Sequence, residues 1–391
     1  MTQKTTTRRS FIKQIGAGGL VLAGAGLVTS CEEIIVVAKI DGDIPDFATS
    51  AADGVWYYQS GQGTLKPDAP QISREEWSLS IRADGQELTT LDFAALEAYD
   101  AVVFWKAIRC VIIGSEVGTP QILYVANGAF KGVPLARVLE DVAVPAGTER
   151  VRVSAADGFT SNIPLERVVA PSSDDLPVLL AYELNGEPLS VLRGAPVRMI
   201  LPEAWGYKNV KWLESLDLSS SDDAFGKYET ELYSPNSNPQ PVHEGIDRSG
   251  RMPLMTLVTK PSSSVGSEVE GPDVEFAGVA ISGGARVTGL EVNVDGGGWL
   301  PIGVTPEEEA KATLTPVLQA VDAASIQGAA GRWPYAGAWL TWSHTVTGLT
   351  PGEHVVMFRA TDDQGGRQAD SITAQERTLK VPAAKVTITV T

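Results

Sequence analysis

Cys110 and a downstream cluster of four cations, Arg193, Arg198, Lys208 and Lys211, are the residues of this 391-residue chain most able to hold another group. Cys31 and Cys110 are its two cysteines, too few for a disulfide framework or a four-thiolate zinc site. A lone thiol is either packed and inert or a ligand. The four cations crowd one stretch of a chain with 31 Lys and Arg against 48 Asp and Glu, a net charge of −17. Cations beside glycines that admit close backbone approach suit a phosphate, and equally suit a solvated surface. The three histidines, His243, His344 and His354, lie far downstream, so no imidazole can serve a nucleophile before residue 243. Asp174-Asp175 and Asp222-Asp223 sit in loop-like text and read as solvated rather than as a paired acid and base. The acidic balance argues against nucleic acid as a partner.

The elements around these residues alternate without a regular βαβ order, which points to an α+β fold. Trp77–Ile81 alternates like a strand and Asp84-Gly85 is a turn signal. Thr90–Leu96 reads as a short capped helix, Val102–Trp105 as a buried strand leading to Cys110, and Leu135–Leu139 as a helix. Val151–Ala155, Val178–Glu183 and Val197–Leu201 read as strands. Residues 219–272, rich in Ser, Pro, Asp and Gly, read as a long connection. Short β-rich runs then recur: Val274–Ile281, Val287–Val294, Trp339–Thr345, His354–Ala360 and Lys380–Val390. That spacing predicts an immunoglobulin-like β-sandwich over 273–391, without a disulfide pin. Gly283-Gly284 and Gly296–Gly298 are expected to make hairpin turns.

The N-terminus reads as an address. Arg8-Arg9-Ser10-Phe11-Ile12-Lys13 precedes a short uncharged run from Ile15 to Val28, then Val28-Thr29-Ser30-Cys31. This is expected to be a twin-arginine signal over residues 1–30, with Cys31 as a lipidated first mature residue. Residues 31–74 would be a tether, and the protein would sit periplasmically or on the outer cell surface, anchored to the membrane by lipid. Losing residues 1–30 removes four cations and no acid, which makes the mature chain more acidic still.

The segment from Ala181-Tyr182-Glu183-Leu184-Asn185-Gly186 through Arg193-Gly194-Ala195-Pro196-Val197-Arg198 to Gly206-Tyr207-Lys208-Asn209-Val210-Lys211-Trp212-Leu213 resembles the molybdopterin-binding domain of the sulfite oxidase superfamily. Arg109-Cys110-Val111, Asn127–Leu135 and Asp157–Leu165 follow the same family pattern in order. Gly278–Gly284, Val292–Gly297, Pro351–His354 and Arg359–Asp362 resemble its C-terminal dimerisation domain. The resemblance implies a molybdopterin-binding domain over 75–218, a homodimer through the second domain, and a molybdenum-molybdopterin cofactor. It implies that Cys110 ligates the metal, because such a centre needs a protein thiolate. It implies that Arg198, Lys208 and Lys211 hold the pterin phosphate, with Gly206 allowing approach and Arg193 and Asn127 assisting. Phe159 and Arg109 would flank a small-molecule substrate. The chain contains no Cys-x-x-Cys-His, so a separate electron carrier is implied.

Departures from the pattern matter. Arg193 replaces a histidine, Phe159 replaces a tyrosine, and Ala129-Phe130 replace an Arg-Trp pair. Ile112-Ile113-Gly114 replace a polar turn. Together they remove polar groups from an anion pocket, so the expected reaction is two-electron oxygen-atom transfer on a substrate other than sulfite. A surface lipoprotein that keeps the scaffold only for binding or assembly is the competing reading. A reductase of oxidised methionine is a third, disfavoured by the added β-sandwich.

Overall fold

The structure is a computed structural model that describes residues 69–109, 125–170, 176–223, 226, 250–261, 267–312, 333–371 and 381–391. The signal, Cys31, Cys110, His243 and Asp174-Asp175 lie outside the described residues. Among the described residues no helix is long and apolar enough to cross a membrane.

Among the described residues the first domain holds ten strands: β1 (Ser78–Ala83), β2 (Gln86–Asp92), β3 (Val102–Arg109), β4 (Val125–Pro134), β5 (Arg150–Ala155), β6 (Thr160–Pro164), β7 (Leu179–Leu184), β8 (Glu187–Pro188), β9 (Arg198–Ile200) and β10 (Leu213–Ser219). One sheet runs β2-β1-β10-β5-β6, with β1 and β10 parallel. The other runs β3-β4-β7-β8, and β9 pairs with β7. Alternation drives their packing: Leu79, Ile81, Val151, Val153, Leu216 and Leu218 of the first sheet share one core with Leu180, Tyr182 and Met199 of the second. Three short helices, α1 (Phe93–Glu97), α2 (Leu135–Glu140) and α3 (Leu165–Val169), fill the ends. Helix α1 starts later than its sequence suggests. Thr89 to Asp92 stay paired with β1, and the Asp92 carboxylate then accepts from Ala95 N at 2.8 Å.

The second domain is the immunoglobulin-like sandwich, built from β11 (Met255–Lys260), β12 (Ser267–Val269), β13 (Val274–Ile281), β14 (Val287–Val294), β15 (Leu300–Ile302), β16 (Trp339–Val346), β17 (Gly352–Asp362) and β18 (Ala384–Val390). Its sheets run β11-β13-β16 and β12-β18-β17-β14-β15. Between them Phe276, Trp342 and Phe358 meet, with ring centroids 5.2 Å and 4.5 Å from Phe358. Two strands lie inside the stretch read as a connection. β11 pairs with β13, and β12 with β18, so the sandwich begins by Met255 and the connection is shorter than 219–272. β11 (Met-Thr-Leu-Val-Thr-Lys) and the three-residue β12 are short runs set among Ser, Pro and Gly, which hides them in the text.

Asp295-Gly296 turns β14 into β15 as a hairpin, with positive φ at both residues. Gly283-Gly284 do not make a hairpin, because β13 and β14 belong to different sheets. A Cβ at Gly283 would collide with the Met252 carbonyl oxygen, and one at Gly284 would lie 2.6 Å from Glu203 Cγ. These glycines let the second domain close on the first. Gly283→Ala should therefore cost about 2 kcal/mol, an overpacking penalty against rigid backbone. Urea unfolding of the variant beside the wild type measures it; equal midpoints would show the backbone yields freely.

The domains meet along one face of β3 and β4. Trp105 stacks on Tyr335 with centroids 6.3 Å apart, and Ala107 N donates to Gly337 O at 2.7 Å. Asn127 Oδ1 accepts from Trp339 N at 3.2 Å, and Arg109 Nη1 donates to Met255 Sδ at 2.7 Å.

Candidate functional site

Two single-turn 3-10 segments, Val191–Arg193 and Gly206–Lys208, flank β9 and carry the expected cations. Arg198, the first residue of β9, ties them together. Its Nη1 donates to Arg193 O at 3.0 Å and its Nη2 to Asn209 O at 2.9 Å. Asn209 fixes the second turn further: its Oδ1 accepts from Leu201 N, and its Nδ2 donates to Trp205 O, both at 2.9 Å. The Arg198 guanidinium also lies 5.5 Å from the Phe130 ring centre.

Lys211 is half-buried, with Nζ 3.3 Å from Leu192 O and 4.5 Å from the Trp212 ring centre. Burial pushes its ammonium well below the usual lysine range, and Arg198 and Arg193 push it the same way, while Asp157 opposes them. Arg193, Arg198 and Lys211 thus form one electrostatic group. Asp157 belongs to the β5–β6 turn, where its carboxylate accepts from Phe159 N at 3.0 Å. Phe159 packs half-buried against the main core.

Lys208 is fully buried, and its Nζ donates to Asn162 O at 2.5 Å. Asn162 Oδ1 in turn accepts from Arg150, whose Nη1 lies 3.5 Å from Asp222. Asp222 is accordingly a solvated ion-pair partner, as its loop position implies. Gly206 opens its turn with ordinary backbone angles and accepts from Asn209 N at 3.0 Å. Arg109 and Asn127 are placed elsewhere. Strand alternation turns both toward the second domain, whereas Phe130 faces Arg198 on the opposite side of β4.

A phosphate fits this donor set. Like charges held close in a dry setting repel, and a dianion among Arg193, Arg198 and Lys211 offsets that repulsion. Just before Gly206, the buried Trp205 indole Nε1 has no hydrogen-bond acceptor among the described residues, a further donor for a heterocycle. No three His, Cys, Asp or Glu side chains converge among the described residues.

Residues 66–225 match the family model described as oxidoreductase molybdopterin binding domain. The chain carries a molybdopterin-binding oxidoreductase domain related to the sulfite oxidase superfamily. Mouse mitochondrial sulfite oxidase is 35% identical over 144 residues, which are 36% of this chain and 25% of that protein. Sulfite oxidase of Arabidopsis thaliana is 26% identical over 270 residues, 63% of each chain. The chain thus spans between a quarter and just under two thirds of the length of these relatives. Among solved structures, the sulfane dehydrogenase SoxCD from Paracoccus pantotrophus superposes with a TM-score of 0.60 at 20% identity, covering 82% of this chain and 76% of that one. That likeness spans both domains and establishes the fold. Within this molybdopterin-binding domain, Arg193, Arg198 and Lys211 come together and Lys208 lies one turn away.

A second charged group joins Lys106, Arg167 and Glu203 of this domain to Arg251 beyond it. Lys106 sits mid-strand in β3, fully buried, with Nζ 3.0 Å from Ala204 O. Burial and the nearby Arg167 lower its ammonium to about 7, with Glu203 opposing. The Glu203 carboxylate lies 3.4 Å from Arg167 Nη2 and 3.2 Å from Arg251 Nε. A lysine inside the apolar run Val102–Ile108 is the one sequence signal that could have revealed this group.

Proposed function

We propose that the protein is an exported molybdopterin-dependent oxidoreductase that carries out two-electron oxygen-atom transfer on a substrate other than sulfite. The observation that carries this reading is the electrostatic group of Arg193, Arg198 and Lys211, gathered around β9 within the matched molybdopterin-binding segment. These cations would hold the pterin phosphate, and Trp205 and Lys208 would supply donors beside it. Cys110, outside the described residues and one position beyond β3, is the proposed metal thiolate. When bound, the molybdenum-molybdopterin group supplies the redox chemistry. The chain's own part is to neutralise the phosphate, exclude water and shape the substrate entrance. Phe159 offers a ring where a hydroxyl donor would suit a small dianion, which supports a neutral substrate. Arg109 and Asn127 brace the second domain and would act on the site through it.

Arg8-Arg9 and Cys31 support export by the twin-arginine route and a lipid anchor, a route suited to a protein that folds around its cofactor before crossing. Electrons would leave to a separate carrier, and the sandwich would serve a homodimer.

Metal analysis tests the reading. Protein exported by a molybdopterin-competent host should carry near-stoichiometric molybdenum, and Cys110→Ser should lower it at least tenfold while the protein stays folded. A folded, exported wild type without molybdenum would favour the non-catalytic lipoprotein, the reading that the departures from the family pattern at Phe159, Ala129 and Phe130 invite.

A further inference from the structure

The chain enters the second domain through residues 250–252, which lie directly on the turn that carries Tyr207 and Lys208. Gly250 has φ +66, and a Cβ there would stand 2.8 Å from Lys208 Cγ, 2.9 Å from Lys208 Cε and 2.9 Å from Tyr207 Oη. Its backbone therefore roofs the Lys208 stem, and Lys208 retains no exposure. Two backbone hydrogen bonds hold the segment down and together make an antiparallel bridge between Ala204 and Arg251: Trp205 N donates to Gly250 O at 2.9 Å, and Met252 N donates to Glu203 O at 2.7 Å.

Glu203 is the centre of this arrangement. Its backbone carbonyl takes Met252, and its carboxylate lies between the buried Arg167 and the Arg251 side chain, which is 62% exposed. From the second domain, Gly283 covers Met252 O and Gly284 covers the Glu203 side chain. One side of the clasp is thus buried and permanent, while the Arg251 side faces solvent and can open.

We propose that residues 250–252 form a strap closing the phosphate end of the cofactor site, and that Glu203 is the positioning residue that latches it through Arg251. The proposal rests on the molybdopterin reading for the identity of the ligand, a phosphate-bearing heterocycle. With the strap down, Lys208 is sealed among backbone oxygens. With it lifted, Lys208 meets solvent and the phosphate end opens for loading or loss.

The test uses the full chain with two readouts. The first is labelling of Lys208 by acetic anhydride, read by peptide mass spectrometry, and it needs no cofactor. An exposed ion pair contributes about 0.2–1 kcal/mol, so Arg251→Gln should raise Lys208 labelling about 1.5- to 5-fold at unchanged melting temperature. Glu203→Gln, which loosens both clasps, should raise it further, and Arg251→Lys should restore protection. The second readout is molybdenum retained through repeated desalting, which Arg251→Gln should shorten by a similar factor. Unchanged labelling in Arg251→Gln overturns the strap and leaves the functional reading standing. Faster labelling without faster metal loss overturns the strap as a closure of the cofactor site. Wild-type protein lacking molybdenum overturns the functional reading, and labelling then still decides whether Arg251 and Glu203 hold the strap over Lys208.

Discussion

Arg198→Met is expected to lose about 3 kcal/mol of stability and more than nine tenths of the bound molybdenum. The guanidinium is buried and its two Nη atoms serve opposite turns, Arg193 O on one side and Asn209 O on the other. Hydrogen bonds from a charged donor contribute about 1.5–3 kcal/mol each, and methionine leaves both buried carbonyls without this partner. Part of the loss is offset, because burying the charge is itself costly and its removal relieves Lys211. Arg198→Lys should rescue poorly. One ammonium cannot reproduce a planar fork aimed at two carbonyls from two turns. The cofactor effect follows from geometry as much as charge, since the turns bearing Arg193 and Lys208 would no longer share a fixed separation. Urea unfolding and metal analysis on the same preparations check both parts. Full molybdenum content in Arg198→Met would remove Arg198 from the site and weaken the phosphate assignment of the group.

The parts of this molecule that were readable beforehand are those governed by local rules. Val274–Ile281 and Val287–Val294 appear as strands with the bounds their β-rich text suggests, and both contribute side chains to the sandwich core. The cation cluster was readable because glycine, proline and basic residues crowd a short segment. What escaped depends on contacts distant in sequence. β11 and β12 look like linker until β13 and β18 supply partners. Gly283-Gly284 look like a hairpin until Glu203 and Met252 arrive beneath them. Asn127 and Arg109 carry the right residue types near the right motif, yet their strand positions turn them toward the second domain. The parity of a position along β3 and β4, set by which face meets the sandwich, decided their place. Glu203 lies in a short apolar–polar loop with no motif, and its role exists only because the strap returns to it.

Lys106 gives the other large effect, and its sign follows from linkage. Its folded-state ammonium titrates at about 7, below the ordinary lysine value of 10.5, because burial and Arg167 disfavour the charge more than Glu203 favours it. Between these two values the unfolded chain holds a proton that the folded chain has released. Stability must therefore rise with pH across this window, by up to about 1.4 kcal/mol per unit, and the charged form must be a full liability below pH 7. Lys106→Met keeps the length and removes the titration. The difference in unfolding free energy between the two proteins should then shift by about 3 kcal/mol toward the wild type from pH 6.5 to pH 9.5. All other titrating groups are common to both chains and cancel in this comparison. At pH 6.5 the variant should be the more stable one, although Ala204 O loses its donor and about 1–3 kcal/mol with it. Parallel stability curves would mean that Lys106 is hydrated or moves to an anion, and that β3 does not carry a neutral amine into the cluster around Glu203. A converging pair of curves would show that this strand, which leads directly to Cys110, gives up a proton near neutrality inside the domain.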